Sequence, residues 1–171
     1  MKRITVVQCL PALHSGGVER STLETARALV RRGHRSIIIS AGGRLVAQCE
    51  AEGSEHYPCD IGGKNLLIFR AIHKFRELLK ELQPDIVHAR SRLPAWSALM
   101  AMRHLARKPT FITSVHGLNS KGFYSGVMLR GEKIICVSDT VKNYVLETWP
   151  KTDTKKISVI SPGIDPAEFP Y

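Results

Sequence analysis

The stretch Arg3-Ile4-Thr5-Val6-Val7-Gln8-Cys9, followed by Leu10-Pro11-Ala12-Leu13-His14-Ser15-Gly16-Gly17, decides the fold. A short β-branched run gives way to a loop of turn residues, and a helical period opens at about Val18. From Val18 to Arg32, the residues Val18, Thr22, Ala26, Leu29 and Val30 form an apolar stripe, with Arg20, Glu24, Arg27 and Arg31 on the opposite side. Glu24 is spaced to pair with Arg20 and Arg27. Gly33 stands where a left-handed cap ends such a helix. Ser36-Ile37-Ile38-Ile39-Ser40 then reads as a buried strand.

The same alternation continues along the chain. Arg44 to Glu52 predicts a short helix and His56-Tyr57 a short strand before Pro58. Asn65 to Gln83 predicts an amphipathic helix with Ile68, Ile72, Phe75, Leu79 and Leu82 on one stripe, stopped by Pro84. Asp85 to Ala89 is an expected strand, Pro94 to Arg107 a helix with proline in its first turn, and Thr110 to Val115 another strand. Lys133 to Val137 and Lys156 to Ile160 complete the strands, and Ser138 is the expected N-cap of a helix running to Trp149. No hairpin signal interrupts the series. The expectation is an α/β domain over residues 1–160, its sheet doubly wound, mostly parallel and covered by helices on both faces, with 161–171 beginning a linker.

Composition narrows the function classes. The 171 residues are 43% hydrophobic and 23% charged, as in a globular domain. No apolar run approaches the ~20 residues of a membrane span. The basic start Met1-Lys2-Arg3 and the apolar residues after it are broken by Gln8, which fits a first strand rather than a signal peptide. Cys9, Cys49, Cys59 and Cys136 form no Cys-x-x-Cys pair and read as reduced, scattered thiols of a cytoplasmic protein. Lys and Arg number 25 against 15 Asp and Glu, a formal net charge of +10. Such a field draws phosphorylated ligands, anionic lipid or nucleic acid without choosing among them. Aromatic residues are only 6% and do not interleave with the basic ones, and no nucleic-acid-binding signature is present.

In a parallel α/β sheet, ligands bind beyond the carboxyl ends of the strands, so the loops there hold the candidate residues. Gly16 and Gly17 precede a helix N-terminus, which suits a phosphate, although a tight strand-to-helix turn needs the same residues. No Gly-x-Gly-x-x-Gly fingerprint occurs, and Gly62-Gly63-Lys64-Asn65 lacks the frame of a phosphate-binding lysine loop. Arg90 and Arg92 around Ser91 are a candidate clamp for a phosphate or carboxylate, or else solvated surface charge. His88, in the strand before them, is read as packing. His116, with Gly117 beside it at a strand end, is placed to meet a substrate hydroxyl. His14, His34, His56, His73 and His104 carry no comparable signal. No histidine pair has metal-ligand spacing with a nearby acid and no nucleophile elbow occurs, so neither a metal nor covalent catalysis is expected.

Five segments in register then suggest a family. They are Ser15-Gly16-Gly17-Val18-Glu19-Arg20, Arg31-Arg32-Gly33-His34, Ser114-Val115-His116-Gly117, Val137-Ser138, and Val159-Ile160-Ser161-Pro162-Gly163-Ile164-Asp165 running on to Phe169. In this order they resemble the N-terminal, acceptor-binding domain of family 4 glycosyltransferases of GT-B fold. The stretch from His88 to Trp96 is similar to bacterial members linked to lipopolysaccharide and other cell-surface glycans.

The resemblance implies a Rossmann-like domain that is one half of a two-domain enzyme. Where the family has Pro-Asn-Gly-Ile-Asp at the crossing to its second domain, Pro162 replaces the asparagine. The donor-side Glu-x7-Glu pair belongs to that second domain, and no two glutamates here stand eight apart. The resemblance further implies transfer of a sugar from a nucleotide-sugar co-substrate to a glycan or lipid-linked acceptor, with retention, without metal and without another cofactor. Carried onto this sequence, Gly16 and Gly17 approach the donor diphosphate and His116 is catalytic. Arg90, Ser91 and Arg92 are acceptor contacts inferred from position, and Gly117 and Ser138 complete the cleft. The isolated domain is expected to be inactive. A stand-alone module that binds an anionic glycan, lipid or nucleotide without chemistry is the alternative. Cations on the first helix and on the Asn65 helix suggest weak attachment to the anionic inner face of the cytoplasmic membrane, and otherwise a solvated helix face. Nucleic acid is not an expected partner.

Overall fold

The computed structural model describes residues 2–63 and 67–163. Lys64 and Asn65 of the glycine loop, the first residues of the helix expected from Asn65, and the linker from Ile164 onward lie outside these described residues. The chain runs β1 (Thr5–Cys9), α1 (Gly17–Arg31), β2 (Arg35–Ser40), α2 (Val46–Ala51), β3 (Glu55–Pro58), α3 (Ile68–Leu82) and β4 (Ile86–Ala89). It continues with α4 (Arg92–Met102), β5 (Thr110–Val115), β6 (Lys133–Cys136), α5 (Asp139–Thr148) and β7 (Ile157–Val159). All pairings are parallel, and the strand order is β3-β2-β1-β4-β5-β6-β7. This is the Rossmann-like doubly wound sheet that the alternation predicts.

Side-chain alternation divides the core between the two faces of the sheet. Val7, Ile37, Ile39, Val87 and Ile134 join Phe75 and Leu79 of α3, Ala98 of α4 and Val145 of α5 in the larger cluster. Ile38 meets Leu23 and Ala26 of α1 and Cys49 of α2 in the smaller one. Helices therefore cover both faces, with α1 and α2 opposite α3, α4 and α5. The α1 stripe is turned slightly from the expected one: Leu23 is buried with Thr22 and Ala26, while Val18, Leu29 and Val30 are half-buried.

Local chemistry sets the helix ends. After α1 the amide of Gly33, at φ 76°, donates to Val30 O and that of His34 to Leu29 O, a Schellman cap that requires the left-handed glycine. Ser138 caps α5 as expected, its Oγ accepting from the Val141 amide at 3.2 Å. Helix α4 stops at Met102 rather than Arg107. Arg76 of α3 donates to the carbonyls of Met100 and Ala101, and these belong to the last turn, which has no partner within its own helix. A 3-10 turn at Ser125–Leu129, before β6, has no counterpart in the expected elements.

Candidate active site on the carboxyl edge

The strand order places the loops after β1, β4, β5 and β6 side by side on one edge. Gln8 pairs with His88 and Ser114 with Ile135, and these residues share the face that α1 covers. Two positions further on, Arg90, His116 and Val137 fall on the same face beyond the strand ends. A cavity of about 570 Å³ opens there, lined by Ser21 and Thr25 of α1, by His88, Arg90, Ser114 and His116, and by Ile160 to Gly163.

Arg90 is built into the wall of this cavity and is only 4% exposed. Its Nε donates to Gln8 Oε1 at 2.8 Å, and its Nη2 donates both to Gln8 Oε1 and to Thr25 Oγ1, the latter at 2.7 Å. Nη1 donates to Ser21 Oγ at 3.2 Å. Gln8 is itself oriented by its Nε2, which donates to Thr22 O at 3.1 Å. Burial lowers the guanidinium to about 10, opposed by the Glu24 carboxylate, so Arg90 is still a cation at neutral pH. The groups hydrogen-bonded to it are neutral, and the Glu24 carboxylate, which also lines the cavity, offsets part of its charge.

Two neutral imidazoles share the wall. His88 is buried with Nε2 2.7 Å from Ser114 Oγ, and burial first, then Arg90 and His116, hold it well below the usual histidine range. His88 packs as the sequence suggests, but it also lines the cavity. His116 is lowered to about 4, mainly by burial and then by Arg90. Its Nε2 is buried with no hydrogen-bond partner among the described residues. A neutral imidazole with an unused nitrogen can accept or donate a hydrogen bond to an incoming hydroxyl.

The other candidates separate. Arg90 and Arg92 form no joint clamp, because α4 begins between them and turns their side chains to different neighbours. The Nη1 of Arg92 donates to Ser125 Oγ at 3.2 Å and Ser120 Oγ at 3.4 Å, in the segment after β5. Ser91 is the extended residue at the start of α4, and its Oγ is buried without a partner among the described residues. Gly16 has φ 150° and is the residue of the loop that demands glycine, whereas a Cβ at Gly17 would meet nothing within 4 Å. Both are exposed, and the carboxylate of Glu19 stands beside Gly16. Gly117 follows His116 in open space, and Ser138 spends its hydroxyl on the α5 cap. The residues that sequence reasoning missed are Gln8, Ser21 and Thr25, the polar cradle of Arg90. A buried Gln at mid-strand was the one available signal.

The fold that carries this edge is that of a Rossmann-like domain. The model of Glycosyltransferase Family 4 matches residues 15–168, and the chain belongs to that family. Among solved structures, a glycosyltransferase from Rickettsia africae ESF-5 is 39% identical with a TM-score of 0.82, covering 99% of this chain and 46% of its own. Alr3699/HepE from Anabaena, solved in complex with UDP and glucose, is 15% identical with a TM-score of 0.75, over 95% of this chain and 45% of its own. The lipopolysaccharide outer core galactosyltransferase WaaB is 14% identical with a TM-score of 0.71, over 94% of this chain and 46% of its own. The chain thus spans about half the length of the GT-B glycosyltransferases it matches. No curated protein matches it.

Proposed function

We propose that this chain is the acceptor-side half of a glycosyltransferase that moves a sugar from a nucleotide-sugar donor to a cell-envelope glycan or lipid acceptor. The observation that carries the reading is the unpartnered Nε2 of His116, beside the buried Arg90 cation on the carboxyl edge of the sheet. Family membership supports the reaction class. The named activity of WaaB supports an envelope acceptor, and the UDP and glucose held by HepE support a nucleotide-sugar donor.

In this reaction the acceptor hydroxyl oxygen bonds to the anomeric carbon of the donor. The bond from that carbon to the diphosphate oxygen breaks, and the nucleoside diphosphate leaves with the bonding pair. The hydroxyl proton is released. His116, neutral at pH 7, holds a sugar or acceptor hydroxyl through Nε2, and Arg90 supplies fixed positive potential without having to reorganise. The exposed turn at Gly16 and Gly17 admits the diphosphate to the N-terminal amides of α1, in competition with the Glu19 carboxylate. Ser91 and Arg92 stand on the acceptor side of the same edge, with Gly117 and Ser138 flanking.

The test is His116→Ala in the protein carrying both halves, with donor turnover followed as release of nucleoside diphosphate. Turnover should fall at least about 100-fold while the circular dichroism spectrum is unchanged. Turnover at the original rate would remove His116 from the site.

A further inference from the structure

A second cavity, of about 470 Å³, opens on the carboxyl edge where α3 meets the ends of β2 and β3. Pro58, Cys59 and Asp60 line one side of it, and Arg70 and Lys74 of α3 the other. The segment after β3 is fixed there through its backbone. The Cys59 amide donates to Ser40 O at 2.8 Å, Lys74 Nζ to Pro58 O at 2.7 Å, and Ser97 Oγ to Ile61 O at 2.9 Å. Gly62 seats the segment against the loop after β1, since a Cβ on it would stand 2.8 Å from Pro11 Cα.

The charged side chains of this cavity are left unspent. Asp60 and Arg70 are exposed, and neither makes a hydrogen bond or ion pair among the described residues. A Cβ on Gly63 would stand 2.6 Å from Asp60 Oδ2, so the glycine leaves the carboxylate its place. Arg70 and Lys74 are one turn apart on the same side of α3. Lys74 keeps two donors free after its bond to Pro58 O. A carboxylate and two cations that line one cavity without pairing suit a ligand that offers hydroxyls to the first and an anion to the others.

We infer that this cavity is a subsite for an acidic sugar unit, whose carboxylate or phosphate meets Arg70 and Lys74 while its hydroxyls donate to Asp60. A guanidinium forks onto either oxyanion, and a carboxylate accepts from more than one hydroxyl. The volume falls within the roughly 300–1,000 Å³ of small-molecule sites. In the strand order β3-β2-β1-β4, the loop after β1 lies between this cavity and the one at Arg90 and His116. An acceptor glycan crossing that loop reaches both. Assigning the unit to the acceptor rests on the sugar-transfer reading, whereas the binding itself does not.

The experiment is titration of the isotope-labelled chain with glucuronate, glucose 6-phosphate, glucose and inorganic phosphate, read from the amide NMR signals of Ala41, Cys59, Asp60 and Ala71. At least one of the two acidic sugars should shift these signals, and which one does so tells carboxylate from phosphate. Glucose and inorganic phosphate should each bind at least about tenfold more weakly. Arg70→Gln should weaken the acidic sugar about tenfold, and Asp60→Ala should weaken it too, although it removes a negative charge. Lys151→Gln, which removes one cation at an exposed position elsewhere, should have little effect. Tighter binding after Asp60→Ala, or inorganic phosphate bound as tightly as the sugar, would overturn the inference in favour of a bare anion site. Glucose bound equally well, an equal loss from Lys151→Gln, or no shift with any probe would overturn it as well. The titration needs no donor, so binding here without turnover by the two-half protein would count against the transfer reading alone.

Discussion

His116 and His88 are held neutral by the same wall that buries the Arg90 cation, and this fixes how stability must respond to acid. His116 lies at about 4 in the folded chain against an ordinary 6.5, and His88 is also lowered. Unfolded chains therefore bind these protons first, and stability rises with pH across the interval. The stability held above about pH 6.5 is expected to fall as acid is added, through about pH 4 for His116. Urea midpoints measured across that range should show the loss, and His116→Gln should flatten part of it. A midpoint that climbs on acidification would contradict the assignment. At this scale the sequence was only partly legible. His116 could be singled out because a strand end followed by glycine is a local pattern. The division of Arg90 from Arg92 could not, since two arginines flanking one serine differ only in which neighbours the start of α4 gives them. Nor could Gly16 be separated from Gly17 as the strained position, because that depends on the turn actually adopted.

Elements follow the sequence closely wherever a local rule governs them. Gly33 ends α1 through its positive φ, and Ser138 begins α5 through its hydroxyl. Replacing Ser138 by alanine should cost about 1 kcal/mol, read as a lower urea midpoint with an unchanged slope. A change in slope would mean that more than the cap was lost. Where a neighbour decides, the sequence misleads. Nothing in the periodicity after Pro94 marks Met102 as the last residue of α4, because Arg76 of another helix satisfies its final carbonyls. The charged face of α3 reads as a solvated or lipid-facing surface, yet two of its cations are engaged with backbone carbonyls of neighbouring segments.

On the scale of the molecule, all the strands run one way, and the carboxyl edge gathers the candidate site on one side. The chain spans about half the length of its GT-B relatives, and on the proposed reading it supplies one half of the site. The chain alone is therefore expected to release no nucleoside diphosphate from a sugar donor, whereas the protein carrying both halves should do so. The same coupled assay on each reads the difference directly. Turnover by the chain alone would overturn that reading. The sequence by itself determined the order and kind of the elements, the parallel sheet and the edge to search, because period, breakers and caps act within a few residues. Only the tertiary structure decided that Arg90 is cradled by Gln8, Ser21 and Thr25, that the His116 nitrogen is left unpaired, and that Asp60 and Arg70 line one cavity. Those outcomes depend on burial and contact between segments far apart in the chain, which no local pattern encodes.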